Sequence, residues 1–100
     1  MENQHRKIKG YRELSQEEID LMNRIKAKGA EMLALQCELQ GMLIAQQKVK
    51  AAKAETNSLE REEYNRFLHA EPLRWATIGK NDIQTGIMAL VRAVAQPSEC

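Results

Sequence analysis

The sequence predicts an all-α protein: an antiparallel helical hairpin with a short N-terminal helix or arm, a second arm kinked or broken near Pro72, and assembly as a homo-oligomer. Three observations predict it. Residues 16–56 are rich in Ala, Leu, Met, Glu, Gln and Lys and contain no proline, a composition that sustains a long helix. Helix-start signatures stand at two places, Ser15 with Glu18 and Asn57 with Glu60, each a capping side chain with a glutamate three residues on. Apolar residues of the 16–56 stretch recur at alternating three- and four-residue steps, close to a coiled-coil seam. A helix of that length spans on the order of 60 Å, so it must pack sideways or break.

In chain order, residues 1–14 form an N-terminal arm in which His5, Arg6, Lys7 and Lys9 surround Ile8 and Gly10. The first long helix occupies 15–56. Leu21, Ile25, Met32, Leu35, Leu39 and Met42 give it a seam interrupted by Lys28, and Met22, Leu33, Leu43 and Ile44 lie beside that seam. The apolar surface is wider than one contact needs, which suits a helix touching both its returning partner and another subunit. Gly29, Ala30, Ala34 and Gly41 allow close approach. Gln46 to Ala54 reads as a solvated end. The returning arm occupies 58–96, with Leu59, Tyr64, Phe67 and Leu68 as a modest stripe before an interruption at 70–72. Proline opens helices more readily than it continues them. Beyond Pro72, Trp75, Ile78, Ile83, Ile87, Leu90, Val91 and Val94 form an apolar side, with Trp75 read as a core anchor, and Gly79 and Gly86 mark a place for another backbone to cross. Residues 97–100 are a tail.

The net charge is +1 over 100 residues, so no broad field draws the chain to a nucleic-acid polymer or an anionic membrane. No apolar run is long enough for a signal peptide or a spanning helix, which gives the expectation of a soluble cytoplasmic protein. Cys37, Cys100, His5 and His69 have no metal-site spacing, so neither a metal nor a cofactor is expected, and Cys37 reads as a small core residue. No nucleophile with a base, paired catalytic carboxylates or phosphate-cradling glycine loop stands out, and no catalytic residue is assigned.

Binding chemistry is easier to find. Tyr11 between Lys9 and Arg12 joins a ring that can stack on a base to cations that pair with phosphate; the competing reading is an aromatic staple packing the helix start. Lys26 by itself reads as an ordinary exposed helix lysine. A second cluster, Arg74 and Trp75 with Lys80 and Asn81, stands in the first turns of a helix, where free amides favour an anion.

Two blocks carry a resemblance. Lys9 to Ser15 with Glu17-Glu18-Ile19 and Leu21-Met22, and Arg74-Trp75, Ile78, Lys80, Gln84-Thr85-Gly86, Met88-Ala89-Leu90 and Arg92 to Pro97, resemble the small phage anti-CBASS proteins that act as cyclic-nucleotide sponges. The resemblance implies a helical hairpin assembled as a homo-hexamer in the cytoplasm of the infected bacterial host, binding the messengers of antiviral signalling without cleaving them. By position it implies that Tyr11 stacks on a base of a cyclic dinucleotide and Lys26 pairs with a phosphate, with Lys9 and Arg12 beside them. A cyclic dinucleotide is close to two-fold symmetric, so two subunits would each supply one tyrosine and one lysine. Some members bind cyclic trinucleotides at a separate three-fold site, which the resemblance carries to Arg74, Thr77, Ile78 and Lys80. The alternative from a different class is a coiled-coil-like adaptor that binds other proteins through its apolar helix face.

Overall fold

A computed structural model describes residues 12–98. Three helices make up the described chain: α1 (Gln16–Lys53), α2 (Ser58–Ala70) and α3 (Pro72–Ala95). Among the described residues there is no strand. The N-terminal arm of the sequence reading, up to residue 11, lies outside them.

α1 starts where the capping box requires. Ser15 Oγ accepts from the Glu18 amide at 3.1 Å, and Glu18 Oε1 accepts from the Ser15 amide at 2.9 Å. It runs 38 residues and ends in a turn at Ala54–Thr56, where Thr56 Oγ1 donates to Lys53 O. Asn57 then caps α2 through Oδ1 to the Glu60 amide at 2.9 Å. The break between α2 and α3 is one residue wide: Glu71 adopts a left-handed conformation (φ 51°, ψ 50°), and Pro72 opens α3. A residue before proline is pushed out of right-handed helix by the ring, so the arm cannot continue straight through. The returning arm thus bends at Glu71, and both of its helices pack on α1. The result is a hairpin of 72 × 22 × 17 Å.

The core lies where all three helices meet. Phe67 of α2, only 4% exposed, packs with Leu43 of α1 and with Ala76 and Leu73 of α3. The turn-side end of α1 is more than a solvated tip, because α2 folds onto it. Ala54 is buried, Lys50 Nζ lies 5.9 Å from the Phe67 ring centre, and the same ammonium donates to Glu63 Oε2 at 2.8 Å.

Glu63 also accepts from Arg66 Nε and Nη2 at 2.8 and 2.6 Å. The Arg66 bonds first, and the Lys50 bond second, hold the Glu63 carboxyl at about 2, below its ordinary 4.5. A depressed carboxylate stabilises the fold above its unfolded value and loses that contribution as pH falls through the folded one. The melting-temperature gap between wild type and Glu63→Gln is therefore expected at pH 7, shrinking below pH 4.5 and closing near pH 2. Thermal melts followed by circular dichroism check it; a gap that stays constant with pH would exclude this origin.

Three packing expectations are corrected. The α1 surface turned toward the returning arm is not the seam of Leu21, Met32, Leu35, Leu39 and Met42, all of which remain exposed. It is displaced by about one residue: Gly29, Gln36, Leu43 and Ala54 are buried, with Met22, Leu33, Gln40 and Gln47 half-buried. Polar and small residues win that face for specific reasons. Gln36 Nε2 donates to Ala76 O of α3 and to Gln40 Oε1, both at 3.0 Å. Gly29 admits Ile87, whose Cγ1 would stand 2.6 Å from any Cβ placed there. Cys37, next to Gln36, therefore points away and is exposed rather than in the core.

Glycines at 41, 79 and 86 face open space within the chain, so no described part of the same chain makes the close crossing expected at Gly79 and Gly86. Trp75 is not buried in a core but 58% exposed. Together with Met32, Leu35, Leu39, Pro72 and Ile83 it lines an apolar trough of about 510 Å³ between α1 and α3.

Candidate functional site

Folding the arms antiparallel brings the start of α1 against the end of α3. Arg12 of the first sequence block meets Val94 and Ala95 near the end of the second, 82 and 83 residues away along the chain, at this open end of the hairpin. Arg12 makes the junction. Its Nε donates to Ala95 O at 3.1 Å and its Nη2 to Val94 O at 2.8 Å, carbonyls of the last turn, where an α-helix leaves acceptors without internal partners. The same guanidinium grips Glu18, at 2.6 Å through Nη2 and 3.4 Å through Nη1. The Arg12 bond, followed by the Ser15 amide, holds the Glu18 carboxyl below the ordinary carboxylate range.

One helical turn beyond Met22, Lys26 projects beside this junction. It lines a shallow cleft of about 350 Å³ with Ile87, Met88, Val91, Arg92, Ala95 and Pro97, near the small end of the range for ligand cavities. Neither Lys26 nor Arg92 has an ion-pair partner among the described residues. Two cations above an apolar floor suit an anionic, partly aromatic ligand: charges for phosphates, hydrocarbon for a base or sugar face. Tyr11 and Lys9 lie outside the described residues. Their neighbour Arg12 is fixed to Ala95, a wall of the cleft that Lys26 lines.

Sequence reading did not single out Arg92, which lines the cleft with Lys26. It stood within the second block, but a cation in the last turn of a helix is also the ordinary complement to the helix dipole, so nothing singled it out until α3 was laid beside Lys26.

The second cluster is divided. Arg74 is exposed, 5.1 Å from the Trp75 ring centre and 3.7 Å from Glu71. Thr77 Oγ1 donates back to Leu73 O at 3.0 Å, and Ile78 is half-buried. Lys80 faces a different cleft, between the helices, with Gln36, Cys37, Gln40 and Gln84. At 100° per residue, Arg74, Thr77 and Ile78 share one side of α3 while Lys80 stands well round from it.

Residues 3–95 match the Acb2/Tad1 hairpin domain. The chain belongs to the Acb2/Tad1 hairpin family. A relative from Pseudomonas phage JBD67, named Anti-CBASS protein 2, is 60% identical over 108 aligned residues that take in the whole of both chains. The hairpin that names the family is the fold described above, and the match runs through both arms and into the segment before α1. No group of three or more potential metal-ligating side chains clusters among the described residues, and no described helix is long and apolar enough to cross a membrane.

Proposed function

We propose that this hairpin protein is a phage anti-defence protein that binds cyclic oligonucleotide messengers, cyclic dinucleotides such as cyclic GMP-AMP first, and holds them intact. It thereby keeps them from CBASS effectors, within the cytoplasm of the infected bacterial host. The observation that carries this reading is the full-length likeness to a named anti-CBASS protein. The chemistry of the open end agrees with it: Lys26 and Arg92, without ion-pair partners among the described residues, flank an apolar cleft, and Tyr11 stands next to Arg12 in the sequence. Tyr11 stacks on a base and Lys26 pairs with a phosphate, with Lys9 supporting the charge. A separate cyclic-trinucleotide site, built around Arg74, Thr77, Ile78 and Lys80 from several copies, is part of the same proposal; Lys80's separate cleft requires that another subunit bring it to the others.

The proposal includes a homo-oligomer, taken as a hexamer. It is supported by the breadth of apolar surface that one chain leaves uncovered, with Leu35 59%, Met42 52% and Trp75 58% exposed, more than isolated surface apolar residues account for. A pocket shared by two copies across a two-fold axis would add a second Tyr11 and Lys26 to a cleft that is shallow in one chain. Leu35→Glu with Leu39→Glu is expected to lower the mass measured by light scattering to that of a single chain while helix content stays. Unchanged mass would show that this face is not the interface.

The direct test is to load the protein with cyclic GMP-AMP, remove free ligand, heat-denature and chromatograph what is released. Intact ligand returning in full is expected. Linear or mononucleotide products would indicate hydrolysis, and absence of ligand would favour the adaptor reading.

A further inference from the structure

We infer that Arg12 is a positioning residue, a latch that ties the start of α1 to the end of α3 and so holds the cleft lined by Lys26 and Arg92, and that it does not itself contact ligand phosphate. The inference rests on the ligand reading above and assigns Arg12 a different part in it.

A guanidinium has five N–H donors, and its short bonds all go to the protein: Nε to Ala95 O at 3.1 Å, and Nη2 to Val94 O at 2.8 Å and to Glu18 Oε2 at 2.6 Å. Nη1 lies farther off, 3.4 Å from Glu18 Oε1 and 3.5 Å from Glu13 O. The positive charge is already met by Glu18 and by the negative end of the α3 dipole. The three elements joined are those a site at the open end requires in register. Glu18 belongs to the capping box that starts α1, Val94 and Ala95 end α3, and Arg12 follows Tyr11 directly in sequence. Ala95 also walls the cleft that Lys26 lines. Releasing the latch would let the start of α1 and the end of α3 shift against each other, so that Lys26 and Arg92 no longer face the cleft together. Apparent affinity falls in proportion to the fraction held in the competent arrangement.

Lysine is a poor substitute in this role, because it lacks the planar fork that meets two carbonyls and a carboxylate together. At a phosphate contact, by contrast, lysine would preserve most of the charge.

Two measurements test the latch, one without ligand. Limited trypsin digestion of the free protein, followed by mass spectrometry, is expected to cut slowly after Arg12, because its side chain is held, and several-fold faster there in Glu18→Gln. That variant retains a capping-box acceptor. Binding of cyclic GMP-AMP by equilibrium dialysis is expected to weaken about tenfold in Arg12→Ala, if about a tenth of the molecules remain in the competent arrangement. It should weaken nearly as much in Arg12→Lys, and in the same direction in Glu18→Gln, with circular dichroism confirming unchanged helix content. Tighter binding by Glu18→Gln would overturn the inference, since removing a carboxylate that competes for a phosphate-binding arginine strengthens binding. So would near-normal binding by Arg12→Lys, or rapid cleavage after Arg12 in wild type. If wild type binds no cyclic GMP-AMP while Arg12 stays protected and Glu18→Gln exposes it, the functional reading fails and the latch stands as a tie between the start of α1 and the end of α3.

Discussion

Tyr11→Ala is expected to abolish retention of cyclic GMP-AMP while leaving the helices intact. Base stacking on an aromatic side chain contributes about 1–3 kcal/mol. In a pocket shared by two copies both bases lose a ring at once, so the loss doubles to roughly 2–6 kcal/mol, a weakening of about 30-fold to more than 10⁴-fold. Lys26→Ala removes charge-assisted bonds of about 1.5–3 kcal/mol each and is expected to weaken binding in the same direction, more steeply at low salt than at high salt. Equilibrium dialysis checks the affinity, and far-ultraviolet circular dichroism checks the fold. The staple reading of Tyr11 makes the opposite forecast: a lowered melting temperature with retention unchanged. The two variants also separate sponge from adaptor, since an adaptor working through its apolar face loses nothing with either.

Phe67→Ala is expected to be the most damaging single change to stability. Phe67 is the most buried large side chain among the described residues, and it joins all three helices through Leu43, Leu73 and Ala76. Removing a buried phenylalanine costs about 3–5 kcal/mol, comparable to much of the total stability of a small domain, about 5–15 kcal/mol. A fall in melting temperature on the order of 20 °C follows for a chain of this size. Leu59→Ala in the same helix is the control: Leu59 is 76% exposed, and a change there is expected to stay within about 0.5 kcal/mol. Equal melts for the two variants would mean that the junction is not where stability resides.

The two predictions divide the molecule. Phe67 lies toward the closed end, where α2 folds over the α1 terminus, and Tyr11 precedes in sequence Arg12, which ties the start of α1 to α3 at the open end. Loss of ligand at one end and loss of stability at the other are therefore measurable separately.

Local physics made the helices legible in the sequence. Ser15 with Glu18 and Asn57 with Glu60 place helix starts because each cap is closed within four residues, and Pro72 places a break because its ring acts on the residue before it. The two terminal blocks likewise sufficed to suggest the family to which the whole chain belongs. The packing face of α1 was not legible, because helix pairing here favours a glycine that admits Ile87 and a glutamine that reaches Ala76 O over the most apolar stripe. Pattern reading ranks residues by hydrophobicity, and the contact is selected by shape and by hydrogen bonding to a helix forty residues away. The same limit misplaced Cys37 and Trp75. Nor could the sequence show the bonds from Arg12 to the carbonyls of Val94 and Ala95, which no local pattern links to it. The sequence by itself determined where helices begin, end and bend, since those energies are settled within a turn or two. Only the tertiary structure decided which face is covered, which apolar surface is left exposed, and which cations are spent on the fold, because each depends on contacts made when the distant arm returns.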